Sequence, residues 1–273
     1  MRRFRALALL LASILPVNAA ALETSVGTLT VTPMATGLNA PWGFGFLPDG
    51  SILITERDGV LKRVADGRVT QVAGVGPVWA EGQGGFLDIL VPRDFAYTRS
   101  LFFTLSHFGS RLVEARDGTL FLTLGDRGDR PSAQDLSVEN GSVLRITRDG
   151  QIPANNPFVG QAGAPPEIWS YGHRNPQGAA LELDGNLWVA EHGARGGDEV
   201  NRVKRGANYG WPVISYCTHY SGFKIGEGTE KDGMEQPEYY WDPSMAPSGM
   251  MIYSGALWPE WRGSIFVGAL KHD

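Results

Sequence analysis

Three stretches of the chain repeat one pattern of hydrophobic and polar positions. Residues 41–56 (PWGFGFLPDGSILITE), 111–126 (RLVEARDGTLFLTLGD) and 176–191 (PQGAALELDGNLWVAE) each run a short apolar strand into an Asp-Gly turn. A second apolar strand follows, then an acidic residue: Glu56, Asp126 or Glu191. Asp-Gly suits the φ > 0 positions of a tight hairpin turn. The second strands are apolar nearly throughout, as expected of strands covered on both faces. A hairpin of this kind cannot bury its own faces, whereas several set around an axis can, which is the logic of a propeller. The predicted fold class is therefore all-β, a β-propeller. A β-sandwich with coincidental Asp-Gly turns is the competing architecture. In a propeller the polar residues after each second strand fall at equivalent places on one rim, and rim loops on a rigid scaffold carry function. Helical periodicity is weak, and no low-complexity linker divides the chain.

Composition fits that reading. With 36 Gly, 17 Pro and only 19% charged residues, the chain suits many short strands joined by tight turns. A net charge of −5 supplies no global basic field for nucleic acid, so a small molecule is the expected partner. Cys217 is the single cysteine, which rules out an intrachain disulfide. At the N-terminus Arg2, Arg3 and Arg5 precede an apolar run, Ala6 to Pro16, and the small residues of 17–21. This reads as a secretory signal over 1–21, cleaved near Ala19 to Ala21, with the propeller domain over 22–273. A membrane anchor is the other reading, and the run is shorter than a spanning helix needs. The expected location is periplasmic or secreted, without stable membrane insertion.

Polar segments supply the candidate chemistry. In Glu191-His192-Gly193-Ala194-Arg195-Gly196-Gly197-Asp198-Glu199-Val200-Asn201, glycines free backbone carbonyls to turn inward. Asp198 and Glu199 add hard oxygens, a combination Ca²⁺ prefers; a solvated acidic turn is the alternative. In Tyr171-Gly172-His173-Arg174-Asn175-Pro176-Gln177-Gly178, Arg174 and Asn175 offer a cationic and a neutral donor to a carboxylate or a developing oxyanion, or else form a structural turn. His107 lies ahead of the second hairpin and Asp126 after it, so antiparallel pairing would bring the carboxylate beside the imidazole and leave the other ring nitrogen as a general base. Gln83 sits in a turn entering a strand, and Lys271 ends an apolar strand. His219 and His272 read as surface residues, and His173 and His192 carry no assigned chemistry. No P-loop, Rossmann fingerprint, nucleophile elbow, zincin helix or twelve-residue EF-hand loop is present.

Taken together, His-Phe-Gly-Ser-Arg-Leu at 107–112, Leu-Gly-Asp-Arg at 124–127, Gly-His-Arg-Asn-Pro-Gln-Gly at 172–178, Glu-His-Gly-Ala-Arg-Gly-Gly-Asp-Glu at 191–199 and Gly-Ala-Asn-Tyr-Gly-Trp-Pro at 206–212 resemble the soluble pyrroloquinoline quinone (PQQ)-dependent aldose sugar dehydrogenases of the glucose/sorbosone dehydrogenase type. The resemblance implies a six-bladed propeller of four-stranded sheets, with PQQ and Ca²⁺ as cofactors. It implies oxidation of an aldose at the anomeric carbon by hydride transfer to PQQ, with electrons passed to a quinone or cytochrome. His107 would be the base, Asp126 its orienting partner, and Arg174 and Asn175 would contact the quinone. Lys271 would pair with a cofactor carboxylate, and Gln83 would lie near the substrate. Gly193 and Ala194 would offer carbonyls to the cofactor's Ca²⁺, and Glu199 and Tyr209 would serve a further Ca²⁺ site. Ala194 stands where the family has Pro. The segment before His107 is shorter than the family's by about one blade's worth of strands, and the chain stops just past Lys271, so an incomplete propeller with about four blades' worth of sequence is expected. A non-catalytic ligand- or partner-binding propeller and a metal-dependent lactonase-type hydrolase are the rival functions. A cationic set suited to a tricarboxylate cofactor argues against the lactonase.

Overall fold

The computed structural model describes residues 20–106 and 109–271. The export segment over 1–19, the candidate base His107, and His272 lie outside the described residues. Among those described, the chain forms β-strands with one short helix, Phe95–Thr98, and two 3₁₀ turns.

The strands form antiparallel sheets in chain order. A two-stranded sheet pairs β1 (Ala20–Thr24) with β2 (Gly27–Val31). The first four-stranded sheet runs β3 (Pro41–Phe46), β4 (Ile52–Glu56), β5 (Val60–Ala65) and β6 (Arg68–Val72). Next comes a two-stranded sheet of β7 (Gly85–Leu90) and β8 (Phe102–Ser106). A second four-stranded sheet holds β9 (Gly109–Glu114), β10 (Leu120–Leu124), β11 (Ser142–Ile146) and β12 (Ile168–Tyr171). The third holds β13 (Pro176–Leu181), β14 (Leu187–Glu191), β15 (Asp198–Val203) and β16 (Tyr239–Trp241). A last two-stranded sheet pairs β17 (Pro247–Ile252) with β18 (Ile265–Ala269). The first strand of each sheet from β3 onward packs beside the first strand of the next, in the order β3, β7, β9, β13, β17. Sheets set side by side through their innermost strands are the blades of a β-propeller.

The three hairpins predicted from the repeat are β3–β4, β9–β10 and β13–β14. Their Asp-Gly turns close alike. Asp49, Asp117 and Asp184 each accept a backbone N–H from two residues on, at 3.0, 3.0 and 3.2 Å. The glycine between takes a φ of 80° to 99°, which an L side chain adopts only with strain. The second strands are covered on both faces: Leu53, Leu120, Leu187 and Val189 are all 4% exposed or less. Ala115, Phe121, Val143, Leu187, Val189 and Val203 fuse two neighbouring blades into one core, and Leu53, Leu61, Phe86 and Ile89 do the same for β3–β6 against β7–β8.

The inner strands face an axial recess of about 710 Å³, partly lined by Phe44, Phe46, Ile89 and Met250. Arg111 crosses it, its guanidinium 4.1 Å from the Trp42 ring and 3.1 Å from the Asp88 carboxylate. It also donates to the Gln177 carbonyl at 2.6 Å, so one side chain ties four inner strands or their entries together. No helix among the described residues is long and apolar enough to cross a membrane.

Candidate active site

The rim that receives the starts of the inner strands holds the candidate chemistry. Pro176 of β13 pairs with Glu191 of β14, so the residues before Pro176 overhang the Glu191 carboxylate. Glu191 Oε1 lies 2.9 Å from His173 Nδ1 and accepts from Asn201 Nδ2 at 3.0 Å, while Oε2 accepts the Arg174 backbone N–H at 2.7 Å. His173 is fully buried; its Nε2 lies 3.0 Å from Ser170 Oγ and its ring stacks on Tyr209 at 4.5 Å. Burial on its own would raise the Glu191 carboxyl, but His173, the Arg174 amide and Asn201 outweigh it and hold that group below the usual carboxylate range. Sequence reasoning gave His173 no role. The signal was available: a hairpin that pairs its first residue with its terminal acid places the preceding turn over that acid.

This network aims Arg174. Its Nη1 donates to the His192 carbonyl at 2.9 Å, its guanidinium sits 5.3 Å from the Trp211 ring, and its Nε is buried without a partner among the described residues. A buried guanidinium N–H left unused is a donor available to a ligand oxygen. Asn175 is more committed. Its Oδ1 accepts from the Gly109 amide at 3.0 Å and from Gln177 Nε2 at 2.9 Å, so only its amide nitrogen is left for a ligand. Asp126 accepts the Gly128 amide at 2.9 Å and Trp211 Nε1 at 2.8 Å, and its own N–H donates to the Arg174 carbonyl at 2.9 Å. Trp211 thus bridges Asp126 and Arg174, a link that the sequence motifs do not announce.

The 191–199 loop is organised around the Asp198 carboxylate. Asp198 is fully buried, and its carboxylate is taken up by the amides of Gly193 (2.8 Å), Met245 (2.9 Å) and Ala246 (2.9 Å) and by Ser244 Oγ (2.7 Å). It shapes the loop, with three of the four donors on Oδ2. A Cβ on Gly193 would stand 2.0 Å from the Gly196 carbonyl oxygen and 2.5 Å from that of Gly197, so only glycine fits there. Ala194 is buried against Ala133, Trp211, Cys217 and Ile225. The phenol of Tyr209 donates to the Arg202 carbonyl at 2.5 Å and accepts the Lys204 amide at 2.8 Å, and burial pushes its pKa up. Tyr209 can therefore meet a cation through its backbone carbonyl and not through its hydroxyl. Burial, and then the charge of Glu191, push the Glu199 carboxyl up to about 8. Beside it Asn201 donates to Glu199 Oε2 at 3.1 Å while its own Oδ1 is buried without a partner. An acid that resists ionisation next to an orphaned amide oxygen is a donor set that a cation would satisfy. No three His, Cys, Asp or Glu side chains among the described residues form a ready-made metal cage.

Lys271 follows β18, and its amide donates to the Met245 carbonyl at 3.2 Å. With Gly193, Ala194, Arg195, Tyr220 and Asp242 it lines a recess of about 580 Å³. A smaller pocket shares its Gly193 wall and is lined by Arg174, Glu199 and Tyr209. The structure thus gathers Arg174, Gly193, Ala194, Glu199, Tyr209 and Lys271 around one loop. Gln83 stands apart, exposed in the turn before β7.

The comparisons agree with this architecture. The family model for glucose/sorbosone dehydrogenases matches residues 38–107 and 104–273. The aldose sugar dehydrogenase YliI of Escherichia coli is 40% identical over 298 residues, covering 92% of this chain and 80% of that protein. A crystal structure of a glucose dehydrogenase superposes with a TM-score of 0.84 at 40% identity, over 88% of this chain and 83% of that one. The PQQ-bound form of aldose sugar dehydrogenase from Streptomyces coelicolor superposes with a TM-score of 0.74 at 28% identity, over 93% and 79%. With this propeller and these matches over most of its length, the chain belongs to the glucose/sorbosone dehydrogenase family.

Proposed function

We propose that the protein is a PQQ-dependent aldose dehydrogenase that oxidises its sugar at the anomeric carbon. The observation that carries this reading is the unused, buried Nε of Arg174, held by the Glu191 network at the edge of a loop whose next-door recess carries Lys271. A polyanionic, carbonyl-bearing cofactor needs such donors. A hydrolytic propeller has no such need.

When bound, PQQ supplies the two-electron acceptor for hydride, and Ca²⁺ polarises the accepting carbonyl. The protein's residues do the rest. His107 takes the proton from the anomeric hydroxyl, and Asp126 holds it in orientation. His107 precedes β9 by two residues and Asp126 follows β10 by two, and Gly109 pairs with Leu124 across that hairpin. Arg174 and the Asn175 amide nitrogen would hold the quinone, Arg174 supplying a cationic donor to its carbonyl oxygen. Lys271 would hold a cofactor carboxylate, the Gly193 and Ala194 carbonyls would hold Ca²⁺, and Gln83 would contact the sugar. Glu199 and the Tyr209 carbonyl would hold a second Ca²⁺. Electrons leave to an external quinone or cytochrome, and export by the N-terminal segment places the enzyme in the periplasm or outside the cell. Between β8 and β9 the chain lacks about one blade's worth of the family's strands; the two-stranded β7–β8 sheet and the split of the family match at 104–107 support this reading.

Reconstitution with PQQ and Ca²⁺, followed by dye reduction with a panel of aldoses, tests the function. Aldose-dependent reduction is expected, with His107→Ala lowering turnover by about 10²–10⁴-fold and Asp126→Asn by less. Absence of dye reduction with every aldose despite bound PQQ would refute the enzyme reading.

A further inference from the structure

We infer that Gln177 is a positioning residue of the quinone site: its side chain holds the Asn175 amide in the orientation that presents nitrogen, and not oxygen, to the ligand. This inference rests on the PQQ reading. Pro176 pairs with Glu191 and Gly178 with Ala190, so Gln177 is the extra residue of a β-bulge in β13. A bulge takes one residue out of the ladder and re-aims its side chain. The neighbouring blade fixes this bulge. Thr123 Oγ1 donates to the Pro176 carbonyl at 3.2 Å, and Arg111 Nε donates to the Gln177 carbonyl at 2.6 Å. Arg111 is itself held by Asp88 at 3.1 Å. On the other side β17 closes in: a Cβ on Gly178 would stand 2.7 Å from Met250 Cβ and 2.9 Å from the Ser248 carbonyl oxygen. The aim of the Gln177 side chain is thus set from two blades.

Gln177 Nε2 donates to Asn175 Oδ1 at 2.9 Å, and the same oxygen accepts the Gly109 amide at 3.0 Å. Both acceptor sites of one carboxamide oxygen are then filled by N–H donors. The Asn175 backbone is fixed as well: the residue is buried, and its carbonyl accepts the His192 amide at 3.1 Å. Turning the Asn175 amide over would set its own hydrogens against two donors. Gly109 opens β9, two residues past His107, so the same oxygen also ties the quinone contact to the strand that carries the proposed base. A carboxylate at position 177 would reverse the preference. It only accepts, so it would draw the Asn175 nitrogen to itself and turn the oxygen toward the ligand.

Calorimetric titration of the full chain with PQQ at fixed Ca²⁺ tests this, with Gln177→Glu and Gln177→Met compared. Gln177→Glu should weaken binding by about 10-fold or more, since it opposes the orientation. Gln177→Met loses the hydrogen bond without opposing it and should weaken binding only several-fold. A merely structural role predicts the reverse order, because Glu keeps the shape of Gln and Met does not. In an Asn175→Ala background neither substitution should change PQQ affinity, since no amide is left to orient; a loss caused by the added charge alone would persist there. Wild-type affinity in Gln177→Glu, a greater loss in Gln177→Met, or a Gln177→Glu loss that persists in full without Asn175 would overturn the inference while leaving the cofactor reading intact. Failure of the wild type to bind PQQ would overturn both.

Discussion

β14 and β8 are both second strands of their sheets. β14 lies between β13 and β15, and Leu187, Val189 and Ala190 along it are 2% exposed or less. β8 pairs with β7 alone, and Phe103 and Leu105 stand 36% and 64% exposed. The inner side of β8 is nevertheless well made. Thr104 Oγ1 accepts the Asp88 amide at 2.8 Å and donates to the Ser110 carbonyl at 3.0 Å. The difference lies outward. Where a third strand follows, it covers the second and brings Asp198, Glu199 and Asn201 under the rim. Where none follows among the described residues, the apolar side of the second strand meets water. In this propeller the outer strands are what turn a hairpin into a site.

Mutations in the complete blade should therefore cost far more than mutations in the partial one. The largest effect is expected from Asp198→Ala, which strands three amides and a hydroxyl. A loss on the order of 3 kcal/mol or more follows, or roughly 10 °C in melting temperature, read by thermal unfolding. His173→Ala should cost about 2–3 kcal/mol, since it opens a buried gap and leaves Glu191 short of a partner; denaturant titration with an unchanged m-value would show it. A loss under 0.5 kcal/mol at either site would break the comparison.

Glu199 sharpens the comparison through pH. Its folded-state pKa of about 8 lies above the ordinary 4.5, so the protonated form favours the fold. That contribution is fully present below about 4.5 and is lost as pH rises through about 8. The Ca²⁺-free protein should melt at falling temperature across this window, and Glu199→Gln should flatten the fall. The smallest effect is expected at Leu105, where replacement by Ala should change stability by less than about 0.5 kcal/mol, since most of the side chain is already in water.

The hairpins were legible because Asp-Gly turns between apolar runs state both ends of each strand: the repeats at 41–56 and 176–191 begin and end with their paired strands. β5–β6 was not legible, although Asp66-Gly67 joins its strands with φ of 49° and 70°, because β6 is polar and exposed and breaks the apolar pattern. β11–β12 was not legible because a long connection separates its strands. In the site, the gathering of Arg174, Gly193, Ala194, Glu199, Tyr209 and Lys271 followed the motifs. The role of Asp198 did not, because counting a carboxylate as a hard oxygen donor says nothing about which amides will reach it first. The same limit hid the burial of His173 and the commitment of the Tyr209 phenol and the Asn175 oxygen.

The central claim is that the rim built by the complete blades holds PQQ through Arg174. Trp211, 5.3 Å from the Arg174 guanidinium, reports on that place. Titration of PQQ into the protein, followed by tryptophan emission, tests the claim most directly. Saturable one-to-one quenching that requires Ca²⁺ and is lost in Arg174→Ala is the predicted result. Quenching that survives both chelation and Arg174→Ala, or no saturable quenching at all, would contradict it.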